Sequence, residues 1–262
     1  MIFVQNYPLQ YGYIHYLEMI REIIFARDRE NSQEIHPVFR SEAEEMAKLG
    51  LRVGVEPSAD SEQLLYRGFI MHNKEEYPQD DRYIQGWNEY NATLCLSQTY
   101  PLLEDICIPT FFVKELDQSV EDLIRARGWS EAFIKNEKKS LWDDGELASV
   151  WPINSMEELR IKYEQLPYRG LYAVRKFFAP ELFYEEERYW VIMGKIYHRT
   201  GVIPDIVKEA ATRLSVLGSH YYSIDAIPNM IVEVNPGESS DRLGVNSAEL
   251  FASWWADALN SK

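Results

Sequence analysis

The sequence predicts a mixed fold: an α/β N-terminal region followed by an α+β region with substantial antiparallel sheet. Three observations carry this expectation. Strand-like and helix-like segments alternate over the first hundred residues. Two strongly β-prone segments, GLYAVRKFF (170–178) and RYWVIMGKIYHR (188–199), follow one another further on. YYSIDAI (221–227) and MIVEVNP (230–236) then alternate like the two arms of a hairpin.

In chain order, MIFVQ (1–5) is a strand candidate. An amphipathic helix is expected over about 13–28, where Ile14, Leu17, Ile20, Ile23 and Ile24 recur at helical spacing. SEAEEMAKLG (41–50) reads as a short helix, with Ser41 and Glu44 as a capping box and Gly50 as the stop. LRVGVEP (51–57) and QLLYRGFIM (63–71) are strand-like. PTFFVKE (109–115) is extended, SVEDLIRARG (119–128) is a helix stopped by glycine, and EAFIKNE (131–137) is a strand. SMEELRIKYEQ (155–165) opens on a second capping box, Ser155 with Glu158. In PDIVKEAATRLSVLG (204–218), Pro204 suits a first turn and Gly218 an end, with Val207, Ala210, Ala211 and Leu214 as the buried stripe. NSAELFASWWADALN (246–260) is an amphipathic closing helix. Residues 1–107 are expected to form one domain and 108–262 a second.

Composition narrows the function. The chain has 262 residues, 46 % of them apolar, which suffices for a packed core. Forty-two acids against 27 bases give a formal net charge of −15. That balance opposes non-specific attraction to nucleic acid or anionic lipid, so neither is an expected partner. Cys95 and Cys107 offer no disulfide framework and no zinc spacing, and the five histidines make no HxxxH pair. No basic region precedes a long apolar run at the start, and no apolar stretch nears the roughly 20 residues that span a bilayer. A soluble cytoplasmic protein is expected.

The hairpin carries the chemistry. If PNM (228–230) is a three-residue loop, Asp225 lies opposite Glu233 and shares its face with Asn235. Ile224, Ala226, Val232 and Val234 then make the apolar face. A two-residue loop would pair Asp225 with Val232 and scramble both faces, and the buried side normally sets the register. Three hard oxygen donors on one strand pair suit Mg²⁺, which takes one or two carboxylates and completes its shell with phosphate and water. The same pattern also describes the wet face of an ordinary antiparallel sheet.

An ordered set of motifs extends this reading: FIK with Lys135, YAVRKFF, EEERYWVIMGKI, the helix at 204–217, SIDAI with Asp225, and VEVNPGESSD with Glu233 and Asn235. Over roughly 110–262 the chain resembles the ATP-grasp superfamily. The nearest likeness is to the ribosomal-protein glutamate ligases and to the compact clade named for one arginine and two lysines. The resemblance implies an ATP-grasp fold in which two α+β lobes grip ATP, preceded by a pre-ATP-grasp α/β domain at 1–107. It matches Asp225, Glu233 and Asn235 to magnesium ligands and Lys135 to the strand lysine that reaches the nucleotide phosphates. Arg175, Lys176 and Phe177 match the segment that meets the nucleotide base, with Phe178 beside them. Arg188 matches an arginine facing the terminal phosphates or an acyl-phosphate. Ser239, Ser240 and Asp241 fall on the acceptor side.

The implied activity is ATP- and Mg²⁺-dependent carboxylate–amine ligation, which forms an amide through an acyl-phosphate and releases ADP and phosphate. The carboxylate and amine substrates are small molecules or peptides. One departure stands out. Where relatives carry a glycine-rich phosphate loop, this chain reads KNEKKSLWDDGE (135–146), with one glycine and with Lys138 and Lys139. That loop leaves a second reading, an ATP-grasp module that binds nucleotide without ligase turnover. In the N-terminal region Arg67 is a candidate carboxylate or phosphate clamp, with a plain surface arginine as the alternative.

Overall fold

The computed structural model describes residues 20–138, 142–143, 146–147, 150–152, 156–165, 170–178, 185–242, 245 and 247–260. They fall into two compact units, one within Met1–Phe69, Pro78–Gly86 and Val245–Lys262, the other within Ile70–Tyr77 and Trp87–Gly244. The closing helix therefore groups with the N-terminal segment, and the stretch from Trp87 to Cys107 groups with the later sheets. This division differs from a single boundary after residue 107.

The first unit is built on a parallel sheet in the order β2-β1-β3, from β1 (Ile20–Phe25), β2 (Arg52–Gly54) and β3 (Gln63–Arg67). The helix expected over 13–28 is corrected here, because its described part is the central strand. Ile23, Ile24, Phe25 and Ala26 are all buried. A strand covered on both faces reads as a continuous apolar run, and short runs of that kind satisfy helical spacing equally well. The remainder of that expected helix and the MIFVQ strand lie outside the described residues. Helix α1 (Pro37–Lys48) starts five residues earlier than the Ser41 capping box suggests. His36 is its cap, accepting at Nδ1 from the Val38 amide, and Pro37 occupies the first turn. Gly50 ends it as expected, at φ 82°.

The second unit opens with α2 (Trp87–Leu94) and α3 (Leu96–Leu103) and then builds two four-stranded sheets. The first has the order β4-β9-β5-β8: β4 (Thr110–Val113), β9 (Tyr172–Lys176), β5 (Ala132–Asn136) and β8 (Val150–Trp151), all antiparallel. Helices α4 (Gln118–Ala126) and α5 (Met156–Glu164) close its apolar side, with Val120, Ile124, Met156, Leu159 and Tyr163 against Ile134 and Val174. Ser155, the expected cap of α5, lies outside the described residues. So does Lys139 in the expected phosphate loop. Within that loop β6 (Trp142–Asp143) and β7 (Glu146–Leu147) pair as a short antiparallel ribbon.

The second sheet has the order β11-β10-β12-β13: β11 (Lys195–Tyr197), β10 (Glu187–Ile192), β12 (Tyr221–Ile227) and β13 (Met230–Pro236). Helix α6 (Asp205–Leu214) covers one side with Val207, Ala210 and Leu214. Together with Leu96, Tyr100 and Leu103 of α3, these residues pack on Tyr189, Val191, Tyr222, Ile224, Ala226, Ile231 and Val234. Tyr222, Ile224, Ala226, Ile231 and Val234 of β12 and β13 are therefore committed to one face, and Ser223, Asp225, Glu233 and Asn235 share the other, with Tyr221 and Ile227 at its two ends. The last helix, α7 (Ala248–Asn260), belongs to the first unit, where it packs against α1. Among the described residues no helix is long and apolar enough to cross a membrane.

Candidate functional site

Strand pairing places the site. Across three neighbouring strands Arg188 stands opposite Asp225, and Asp225 opposite Glu233. Asn235 is opposite Ser223, two residues along from the Asp225–Glu233 pair and on the same face. The expected Asp225–Glu233 pair is therefore present, but by a different route. The turn is the two-residue Pro228–Asn229, with Asn229 at φ 65°, because Ile227 already pairs with Met230. The ladder continues with Ala226 opposite Ile231 and then shifts, so that Val232 has no partner across from it. This β-bulge supplies the extra residue that a three-residue loop was expected to supply. It also removes Val232 from the face of Ile224 and Ala226. Ile231 takes that place, and Val232 packs beside Ile108 and Ile227.

The side chains converge. Asp225, 1 % exposed, accepts two parallel bonds from Arg188, Nε to Oδ1 and Nη2 to Oδ2, each 2.7 Å. Such a bidentate pair fixes both planes. The remaining Arg188 nitrogen, Nη1, donates to the Asp241 carboxylate and, at 3.2 Å, to the Asp241 carbonyl. Lys135 reaches over from β5 in the other sheet and donates to Glu233 Oε2 at 2.7 Å. Asn235 Nδ2 bridges the two acids, 3.1 Å from Asp225 Oδ2 and 3.2 Å from Glu233 Oε1. Five of the sequence-derived site residues are thus one hydrogen-bonded group: Lys135, Arg188, Asp225, Glu233 and Asn235.

The charges of this group are strongly perturbed. Burial opposes ionisation of Glu233, but the charge and hydrogen bond of Lys135, the Arg175 charge and the Asn235 amide bring its carboxyl down to about 2. Asp225 moves the other way. Burial pushes its carboxyl above the usual range against the Arg188 pair, and the negative charges of Glu233 and Asp241 add to the rise. Glu186 belongs to the same field and was not singled out from the sequence. Burial and the charges of Asp225 and Glu233 raise it to about 7, with Arg188 and Arg175 opposing. The available signal was its spacing, since a residue two before Arg188 on an extended segment faces the same way.

The remaining candidates separate. Arg175 is buried at 3 % exposure, its Nε donating to Thr110 Oγ1 at 3.3 Å and its Nη2 to the Val232 carbonyl and to Cys107 Sγ at 3.8 Å. Lys176 is exposed, with its ammonium 5.3 Å from the Phe178 ring centre, and the Phe177 amide donates to the Glu131 carbonyl. Ser240 is buried, bonded to Ser223 and to the Pro236 carbonyl, whereas Ser239 lies 3.4 Å from the Tyr90 hydroxyl. Lys138 donates to the His72 carbonyl at 3.4 Å and lies 5.9 Å from the Trp87 ring centre. His198 stacks on Tyr189 and bonds Glu187 and Thr200, on the face of β10 opposite Arg188. Arg67, in the first unit, is not a surface residue. It is buried in a two-point pair with Glu42, at 2.9 and 3.0 Å.

The donor set suits a hard divalent cation: two carboxylates and one amide, with a rotation of the Asn235 amide exchanging N–H₂ for oxygen. Among the described residues no group of three His, Cys, Asp or Glu side chains is arranged to hold a metal, so the amide and further oxygen ligands must complete any shell.

No protein-family model and no curated protein matches the chain. Solved structures do. The D-cycloserine synthetase DcsG is 15 % identical, with a TM-score of 0.58 over 91 % of this chain and 100 % of that one. The peptide-associated ATP-grasp ligase of Chryseobacterium gregarium, in complex with ADP and a leader and core peptide, is 13 % identical at a TM-score of 0.58, covering 92 % and 96 %. This chain has the ATP-grasp fold. A RimK domain ATP-grasp protein from Sphaerobacter thermophilus agrees, at 16 % identity and a TM-score of 0.53 over 89 % of this chain and 98 % of that one. Within the ATP-grasp frame, the Lys135-bearing sheet and the Asp225-bearing sheet each contribute side chains to a single polar cluster.

Proposed function

We propose that the protein is an ATP- and Mg²⁺-dependent carboxylate–amine ligase that forms ADP and phosphate. The observation that supports this reading most directly is the shared face of Asp225, Glu233 and Asn235, with Lys135 and Arg188 in contact with its two acids. Asp225, Glu233 and Asn235 would hold Mg²⁺, which, when bound, neutralises charge on the phosphates of ATP. Lys135 would turn from Glu233 to those phosphates, a role suited to a compact cation on a long stem. Arg188, held in plane by Asp225, would present Nη1 to the transferring phosphoryl group. Lys176 and Phe177, at the end of β9, would meet the base.

In the proposed reaction a substrate carboxylate oxygen attacks the γ-phosphorus, and the bond to the β-bridging oxygen breaks to release ADP. The amine nitrogen then attacks the acyl carbon. The C–O bond to phosphate breaks, and the amine loses a proton. No side-chain nucleophile is needed, so the protein's part is positioning and electrostatics. ADP-complexed and peptide-complexed ATP-grasp neighbours support nucleotide use and admit a peptide as well as a small-molecule acceptor.

ADP and phosphate release across a panel of amino acids, carboxylic acids and peptides tests the proposal. Turnover with at least one pair, reduced at least 100-fold by Asp225→Ala, is the expected result. Mg²⁺-dependent ATP binding without turnover on any pair would make the protein a nucleotide-binding module instead.

A further inference from the structure

We propose that Arg175 is a positioning residue for the oxygen cluster: it holds the carbonyl of the bulged Val232 and so fixes the register in which Glu233 faces Asp225. The inference rests on reading that cluster as a cation site and names what assembles it.

The two-residue turn alone would not produce this register. Ile227 opposite Met230 and Ala226 opposite Ile231 form a regular ladder, whose next step would be Asp225 opposite Val232. In that continuation Glu233 would face Ile224 and enter the apolar side, and the Asp225–Glu233–Asn235 face would not exist. The observed ladder resumes one residue later, with Asp225 opposite Glu233 and Ile224 opposite Val234. Val232 is the residue left over, and it is 7 % exposed. A buried carbonyl outside the ladder needs a donor from elsewhere.

Arg175 supplies that donor, with the weak thiol donor Cys107 Sγ beside it at 3.9 Å. It sits on β9 in the neighbouring sheet, so its side chain spans from one sheet to the other. Three contacts fix its guanidinium. Nε bonds Thr110 Oγ1, while Nη2 reaches both Cys107 Sγ and the Val232 carbonyl. Cys107 belongs to the same edge, through a bridge to Ile231, and the Ile108 amide bonds the Ile231 carbonyl. The bulge is thus gripped on both sides of Ile231, and Glu233 is the next residue after the gripped carbonyl.

A positioning role and a purely electrostatic one have opposite signs. Removing a cation close to Glu233 would by itself tighten divalent-cation binding, whereas loosening the bulge weakens it. Deleting Val232 discriminates further. Without that residue the regular ladder carries Asp225 opposite Glu233 directly, so the grip has nothing left to hold.

Four proteins are compared: wild type, Arg175→Met, the Val232 deletion, and both changes together. Free Mn²⁺ is titrated by electron paramagnetic resonance, ADP binding is measured in EDTA, and interstrand NOEs between Asp225 and Glu233 are recorded. Arg175→Met is expected to weaken Mn²⁺ binding about tenfold or more, leave ADP binding in EDTA within twofold, and weaken the NOEs. In the deletion background the same substitution is expected to change Mn²⁺ binding less than twofold. Tighter or unchanged Mn²⁺ binding overturns the proposal, as does an equal loss in both backgrounds or a parallel loss of ADP affinity. Should Arg175→Met fail to fold, the double variant is expected to fold, and its failure would count against the proposal. If Asp225→Ala binds Mn²⁺ as wild type does, the cation reading falls. The NOEs then decide the positioning claim alone, and their persistence in Arg175→Met rejects it.

Discussion

Arg188 donates in two directions, and the two partners differ in how firmly they are held. Asp225 is 1 % exposed and takes Nε and Nη2, whereas the Asp241 side chain is 77 % exposed and takes Nη1. An exposed ion pair is worth about 0–1 kcal/mol, so Asp241 is the partner an arriving phosphate can displace. Asp241→Asn is expected to tighten ADP binding by up to about fivefold, with the gain shrinking at high salt, as titration calorimetry would show. A loss of affinity instead would mean that Asp241 orients Arg188. Glu186 gives a second residue-scale expectation. Burial and the Asp225 and Glu233 charges raise its carboxyl to about 7, so the folded protein binds this proton more tightly than the unfolded chain does. Stability is therefore lost as pH rises from the ordinary glutamate value of 4.5 through about 7. Glu186→Gln removes that loss. Urea midpoints should show the variant gaining on wild type between pH 5 and pH 8, reaching about 1–2 kcal/mol after allowance for its half-buried setting.

At the scale of elements, the hairpin shows what a sequence can and cannot reveal. Alternation made the polar and apolar faces of 221–236 legible, and with them the Asp225–Glu233 pair. The bulge was not legible, because a three-residue loop and a two-residue turn plus a bulge give the same faces beyond Asp225. What selects between them is the Arg175 contact to Val232, made across 57 residues of sequence and between two sheets. The same limit explains β1, where Ile20, Ile23 and Ile24 satisfy helical spacing while the run they belong to is a strand covered on both sides. The turn after β13 carries a constraint that is local but equally hidden. A Cβ on Gly237 would lie 2.5 Å from the ring of Tyr221, which is fully buried. Gly237→Ala is expected to cost about 1–3 kcal/mol in chemical denaturation. It should also weaken Mn²⁺ binding, since the displaced turn carries Asp241 and follows Asn235 directly.

At the scale of the whole molecule, the chain builds two units, each with an arginine paired to a buried carboxylate, and the surroundings of the two arginines differ. Among the described residues, Arg67 and Arg188 each make a two-point pair with a buried carboxylate, and the sequence offers each as an anion-binding candidate, Arg188 through the family resemblance and Arg67 with a surface arginine as the alternative. Arg188 keeps one nitrogen turned toward exposed Asp241. Arg67 is instead enclosed, with its guanidinium 5.1 Å from the Phe39 ring centre and 5.7 Å from that of Phe251. Glu42 lies 25 residues before it on α1, and Phe251 lies on a helix at the other end of the chain, so no local pattern announces the enclosure. Removing one member of a buried pair strands the other charge, at a cost of about 3–5 kcal/mol, whereas replacing both with apolar groups is often neutral or stabilising. Arg67→Met alone should therefore lower stability by that amount, and adding Glu42→Leu should recover most of it. Because two units can unfold separately, the loss is best read by hydrogen exchange on β1, β3 and α1 rather than from one global transition. If Arg67 serves only its own unit, Mn²⁺ affinity per folded molecule stays within twofold of wild type in both variants. A tenfold loss that tracks Arg67 alone would return it to the list of ligand-binding residues.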